Sequence, residues 1–134
     1  MNPFKINSSE LVKIASIAIT DKKGENTVAF DVRKSSSLTD YFVITSGLNP
    51  PHLKALFNET CLKLKENGFS CFQKTGTPES GWIVADYLDI IIHFFIPECR
   101  KYYALEELYG NAPKLEFTTK QCARQKPSKH SKAK

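Results

Sequence analysis

The chain has 134 residues, 41% of them hydrophobic and 25% charged, an ordinary composition for a single folded domain. Its net charge of +5 is localised: Lys120 to Lys134 holds six basic residues and no acid, so residues 1–119 sum to −1. A near-neutral body argues against a stand-alone RNA-binding module, and no apolar run reaches the roughly 18–20 residues of a membrane helix. Four scattered cysteines without a C-x-x-C spacing make neither a zinc framework nor a disulfide set.

The start, "MNPFKINSSE", lacks the basic and apolar regions of a secretory signal and the Arg-rich pattern of an import peptide, so the expected location is cytoplasmic. A first helix opens at "NSSE", with Asn7 as cap and Glu10 three positions on. Leu11, Ile14, Ala15 and Ala18 then recur at helical spacing. "TVAFDVR" alternates Val28, Phe30 and Val32 against Ala29 and Asp31, the period of a strand, and "YFVITSG" is a second, β-branched strand.

Asn49 and Pro50 start the next helix and Gly68 follows its end. Leu53, Leu56, Phe57, Thr60, Cys61 and Leu64 line one face of it. "FSCFQ" is expected as a short strand completing a parallel crossover, and "KTGTPES" as a loop. Trp82–Ala85 and Ile90–Ile96 are strands joined by the tight "DYLD" link. A final helix is expected from Pro97 to Tyr109, with Tyr102, Leu105 and Tyr109 as its apolar stripe. The reading is α-β-β-α-β-β-β-α, an α/β domain over residues 1–119 with a mixed sheet of about five strands and flanking helices. Residues 120–134, basic and without a hydrophobic period, are expected to be a disordered tail.

The polar residues of the hairpin region invite a catalytic reading. Asp86 and Asp89, however, stand three apart across a turn and need not converge on one metal or substrate atom. At strand ends, aspartates also commonly accept backbone hydrogen bonds. His93 shares a strand face with Ile91 and Phe95, where a hydrogen-bonded structural histidine is the usual occupant. "TSG" at 45–47 sits between a strand and a helix, but no G-x-G-x-x-G or lysine-bearing phosphate loop accompanies it. Trp82, the single tryptophan, is either a core anchor or a partly exposed binding aromatic.

"SSLTDYFVITSG" and "WIVADYLDIIIHFFIPECRKYYALEELYG" followed by "NAP" closely resemble the ribosomal silencing factor family, also called Iojap-like. The similarity runs from about Leu11 to Pro113. It implies a fold related to nucleotidyltransferases without their catalytic residues, no cofactor and no enzymatic activity. It also implies binding to the large ribosomal subunit at ribosomal protein L-fourteen, which would block joining of the small subunit and repress translation. Leu88 stands where the family turn commonly has glycine, and Tyr109 where it has tryptophan.

The stretch Glu79–Tyr109 carries six acids against Arg100 and Lys101, which complements a basic ribosomal protein. Trp82 and Tyr87 are the expected apolar anchors and Asp86 and Asp89 the partners of its Lys or Arg. Glu98, Arg100 and Tyr103 are expected to extend the patch, and His93 to belong to it. The basic tail is either a solvated terminus or a salt-dependent contact to ribosomal RNA. A homodimer of the free chain stays open. The enzyme alternative is a metal-dependent nucleotidyltransferase, which rests on fold kinship alone.

Overall fold

The structure, a computed structural model, describes residues 8–35, 38–110 and 112–117. Its elements run α1 (Ser8–Asp21), β1 (Glu25–Asp31), β2 (Tyr41–Ser46), α2 (Pro50–Glu66), β3 (Gln73–Thr77), β4 (Trp82–Asp86), β5 (Ile90–Phe95), α3 (Pro97–Tyr103), α4 (Leu105–Leu108) and β6 (Lys114–Phe117). The strands form one mixed sheet in the order β3-β4-β5-β2-β1-β6. β2 and β5 pair in parallel and the other neighbours antiparallel.

Alternation along each strand divides the side chains between two cores. Ala29, Tyr41, Val43, Ile83, Ala85, Ile90, Ile92 and Phe94 face α1 and α2 and form the larger one. Val28, Phe30, Val32, Ile44 and Phe95 face the other way, under α3, α4 and the chain that leads into β6.

On α1, Leu11, Ala15 and Ala18 are buried as their spacing predicts, with Val12, Ser16 and Ile19 beside them. The predicted cap of α2 is present: Asn49 Oδ1 accepts from the His52 backbone N–H at 2.9 Å, and Pro50 occupies the first turn. Leu53, Leu56, Thr60 and Leu64 are buried and Phe57 and Cys61 pack beside them. Thr60 meets the cost of burying its hydroxyl by donating to Leu56 O at 2.7 Å. His52 ties the two helices together, its Nδ1 accepting from Leu48 N–H and its Nε2 bonded to Lys22 O.

Three expectations are corrected. The third strand is Gln73–Thr77, not "FSCFQ". It runs in the same direction as β2, as a crossover requires, but β4 and β5 lie between them. All five of its residues are exposed, so it carries no hydrophobic period. The last helix is broken at Ala104, which adopts φ 49°, ψ 44°. The break resets the helical phase, so Leu105 and Tyr109 reach the second core while Tyr102 is 81% exposed. A sixth strand, β6, adds to the edge of β1 through the pairs Thr27–Phe117 to Phe30–Lys114. The expected Asn7 cap and the 120–134 tail lie outside the described residues.

Candidate docking face

The face of the sheet turned away from α1 and α2 is built by register. Trp82 pairs with Phe95, Val84 with His93 and Asp86 with Ile91 across β4 and β5. Ile91, His93 and Phe95 stand beside Phe42, Ile44 and Ser46 of β2, and Phe42 and Ile44 beside Phe30 and Val28 of β1. Side chains in register on neighbouring strands touch, so this row is a continuous aromatic and aliphatic surface.

α3 and α4 cover only part of it. Tyr109 stacks on Phe42 with ring centroids 4.6 Å apart, and Tyr103 packs on Trp82 at 4.5 Å. Phe42, Trp82, Val84 and Ile91 remain half-buried. Tyr102 and Leu108 project into solvent from the helices.

His93 holds the centre. It is 7% exposed, and its Nδ1 accepts from Trp82 Nε1–H at 3.1 Å. That bond requires an unprotonated Nδ1 and so a neutral ring carrying its proton on Nε2. Burial favours the same state and pushes the pKa down to about 4. Nε2 itself is buried without a hydrogen-bond partner. Phe42 and Phe95 stack on the imidazole at 5.7 and 6.1 Å. His93 is thus a structural residue that fixes the tryptophan's orientation.

At one end of this face the β4–β5 hairpin turns through Tyr87, Leu88 and Asp89. Asp86 Oδ1 accepts from Leu88 N–H at 2.8 Å, an aspartate-stabilised turn. Leu88 takes φ 71°, the left-handed region that favours glycine, and its side chain is 54% exposed. Asp86 and Asp89 are half-buried. The carbonyl of Asp89 accepts from Asp40 N–H at 2.9 Å, which pins the hairpin to the loop before β2.

The predicted site residues therefore separate. Trp82, His93 and Tyr103 come together around Phe95. Asp86 ends the same strand face, and Glu98 is exposed on α3. Arg100 is a tie within the fold: its Nε and Nη2 donate to both carboxylate oxygens of Glu106 at 3.0 and 2.8 Å, and its Nη1 to Ser46 Oγ at 2.9 Å. The guanidinium lowers the Glu106 pKa through these bonds.

Tyr87 contradicts its expected role as an exposed anchor. Strand alternation turns it to the opposite face, into the larger core at 7% exposure. There burial raises its pKa, with the Cys61 thiol alongside.

The sequence reading missed Val84, which shares strand parity with Trp82 and Asp86, Ile91, which pairs with Asp86, and Phe42, which only the parallel β2–β5 pairing brings beside Ile91. It also passed over Leu88 as a protruding apolar side chain. Among the described residues, no group of three or more His, Cys, Asp or Glu is placed to hold a metal ion, and no helix is long and apolar enough to cross a membrane.

Over residues 5–134 the chain matches the family described as "Ribosomal silencing factor during starvation". It is 34% identical over 108 residues to ribosomal silencing factor RsfS of Bacillus subtilis, spanning 81% of this chain and 92% of that relative. The corresponding protein of Halalkalibacterium halodurans is 32% identical over 112 residues, 84% of this chain and 96% of that relative. The crystal structure of a protein from Chromobacterium violaceum superposes with a TM-score of 0.75 at 33% identity, covering 78% of this chain and 88% of that one. The chain belongs to the ribosomal silencing factor family.

Proposed function

We propose that this protein represses translation by docking on the large ribosomal subunit and occupying space that the small subunit needs, without catalysing a reaction. The contact on the ribosome is assigned to ribosomal protein L-fourteen. The observation that carries this reading is the half-covered aromatic sheet face around Trp82, bordered by the acidic hairpin. A monomeric domain seldom leaves such a surface uncovered unless something docks there.

A standard interface buries roughly 800 Å² on each side, an area that the sheet face, the hairpin tip and the exposed side of α3 can supply together. Trp82 is the central anchor, oriented in advance by His93, so little rotamer entropy is lost on docking. Tyr103 packs on it, Val84, Ile91 and Phe42 continue the face toward the hairpin, and Leu88 projects from the hairpin tip. Asp86, Asp89 and Glu98 supply negative potential at the edge, which steers a basic partner into register more than it tightens the complex.

Group-transfer chemistry is not part of this reading. The hydroxyl of Ser46, in the strand-to-helix position where a phosphate loop would sit, is held by Arg100, and Asp86 serves its own turn.

Co-sedimentation with purified large subunits tests the assignment. The full chain is expected in the large-subunit fraction and a folded Trp82→Ala variant at the top of the gradient. Equal co-sedimentation of the two would place the contact elsewhere.

A further inference from the structure

β3 adds nothing to either hydrophobic core. It forms one edge of the sheet among the described residues, and all five of its residues are exposed. What it does is pair with β4, from Gln73–Asp86 to Thr77–Trp82. A strand at a sheet edge opens more readily than one paired on both sides, because its outer backbone groups face water. β3 thus makes β4 an interior strand, and Trp82 is held between Thr77 on one side and Phe95 on the other.

Two residues bring β3 and its turn onto the main chain of Trp82. Gly76 has φ 89°, and a Cβ at that position would collide with the Trp82 carbonyl oxygen, so only glycine permits the approach. Ser80, in the turn between β3 and β4, links the two strands. Its Oγ accepts from Thr77 N–H at 3.2 Å, and its proton has two acceptors, Thr77 O at 2.8 Å and Trp82 O at 3.1 Å. Thr77 Oγ1 accepts in return from Ser80 N–H at 3.1 Å. Just before the tryptophan, Gly81 O accepts from Ile96 N–H at 2.9 Å. The main chain of Trp82 is therefore fixed from β3 and its turn, while His93 fixes the ring.

We propose that β3 and its turn are a brace that presents the docking anchor, with Gly76 and Ser80 as positioning residues for Trp82. The inference rests on the docking function proposed above and adds what orders the anchor before a partner arrives. A group ordered in advance loses less entropy on binding. With the brace loosened, β4 opens at its Trp82 end, the indole samples more orientations, and docking has to order it again. The polar composition of β3 fits this role, since backbone pairing supplies the hold and no side chain needs burial.

Trp82 is the single tryptophan, so fluorescence of the full chain reports the anchor alone. Gly76→Ala, Ser80→Ala and Ser80→Thr are compared with the wild type under conditions where circular dichroism shows each to be folded. Acrylamide quenching should increase in Gly76→Ala and Ser80→Ala. Their affinity for purified large subunits should fall by roughly 2- to 10-fold, the effect of ordering one side chain again. Ser80→Thr keeps the hydroxyl and should restore both readings. If Gly76→Ala fails to fold, the two Ser80 variants carry the test. A fall in affinity with wild-type quenching would overturn the proposal, because β3 would then be a direct contact. Wild-type affinity in folded Gly76→Ala and Ser80→Ala, with or without raised quenching, would overturn it too. Trp82→Ala separates this outcome from failure of the docking function: if it binds as tightly as the wild type, docking through Trp82 fails and the brace with it. If Trp82→Ala binds weakly while the Gly76 and Ser80 variants bind normally, only the brace is refuted.

Discussion

The indole N–H of Trp82 donates to Nδ1 of His93 at 3.1 Å, across the antiparallel β4–β5 pair. This bond joins fold and function, because the same histidine that is buried as a neutral ring holds the side chain proposed to anchor the partner. It also makes the docking face sensitive to acid.

The unfolded chain protonates His93 near the ordinary value of 6.5, whereas the folded chain resists until about pH 4. Between those values the unfolded state binds more protons, so stability falls as pH falls, and the contribution is complete above pH 6.5. Integrated over the window it amounts to about 3 kcal/mol. Urea unfolding of the wild type and of His93→Gln, which can still accept from Trp82 but does not titrate, should therefore diverge in pH dependence from pH 7 to pH 4. Parallel curves would contradict the assignment of His93 as a buried neutral ring.

Trp82→Ala should weaken binding to the large subunit by about 2 kcal/mol or more, roughly 30-fold or greater, if Trp82 is the central anchor. Asp86→Asn with Asp89→Asn keeps the side-chain oxygen that accepts from Leu88 N–H and removes two charges. It should cost only about 1 kcal/mol in affinity and flatten the salt dependence. Surface plasmon resonance at two salt concentrations reads both effects. A salt dependence unchanged by the double substitution would remove the hairpin from the electrostatic contact.

Leu88 separates stability from binding. Leu88→Gly relieves an L-residue from φ 71°, offset in part by the larger entropy of glycine, for a net gain below about 1 kcal/mol. It also deletes an exposed apolar side chain from the proposed interface. Thermal denaturation should show a small rise in midpoint while the affinity for large subunits drops.

Tyr87→Phe tests the placement of this side chain in the larger core. The buried hydroxyl has no hydrogen-bond partner, so its removal should leave stability unchanged or raise it by up to about 1 kcal/mol. Affinity should not move. A loss of binding without a loss of stability would return Tyr87 to the interface.

Arg100→Ala should destabilise the fold by about 1–2 kcal/mol, since it removes the hydrogen bonds to Ser46 and to the partly solvated Glu106 carboxylate. Arg100→Lys should recover only part of that, because an ammonium cannot make the two parallel bonds to Glu106. Calorimetry of the two variants gives the ranking, and equal stability of both with the wild type would refute the tie.

The central elements were legible because their signals are strong. Asn49, Pro50 and the Leu53–Leu64 stripe define α2, and β-branched and aromatic alternation defines β1, β2, β4 and β5. β3 was displaced because "FSCFQ" has the residues of a strand, while the ladder with β4 uses exposed polar residues instead. Phe72, counted toward a strand, is 64% exposed. β6 is four residues long and was passed over.

The break at Ala104 has no local breaker such as proline or glycine. It is accompanied by the Arg100–Glu106 bonds across the break and the long-range Arg100–Ser46 bond, which helical periodicity does not reveal. For the same reason Trp82 could be flagged as an anchor while Phe42, from a strand forty residues earlier, could not. The two meet only through His93, which touches both rings, and Phe42 is brought there by the parallel β2–β5 pairing, a property of topology. Tyr87 was misplaced by reading the hairpin as one patch, although strand parity alone separates it from Asp86.

The most direct trial of the central claim mixes purified small and large ribosomal subunits at joining conditions, with and without saturating protein, and resolves them on a sucrose gradient. The joined-particle peak is expected to shrink for the wild type, with the protein riding on the large subunit, and to recover for Trp82→Ala. Joined particles forming at full yield with the wild-type protein bound to them would contradict it.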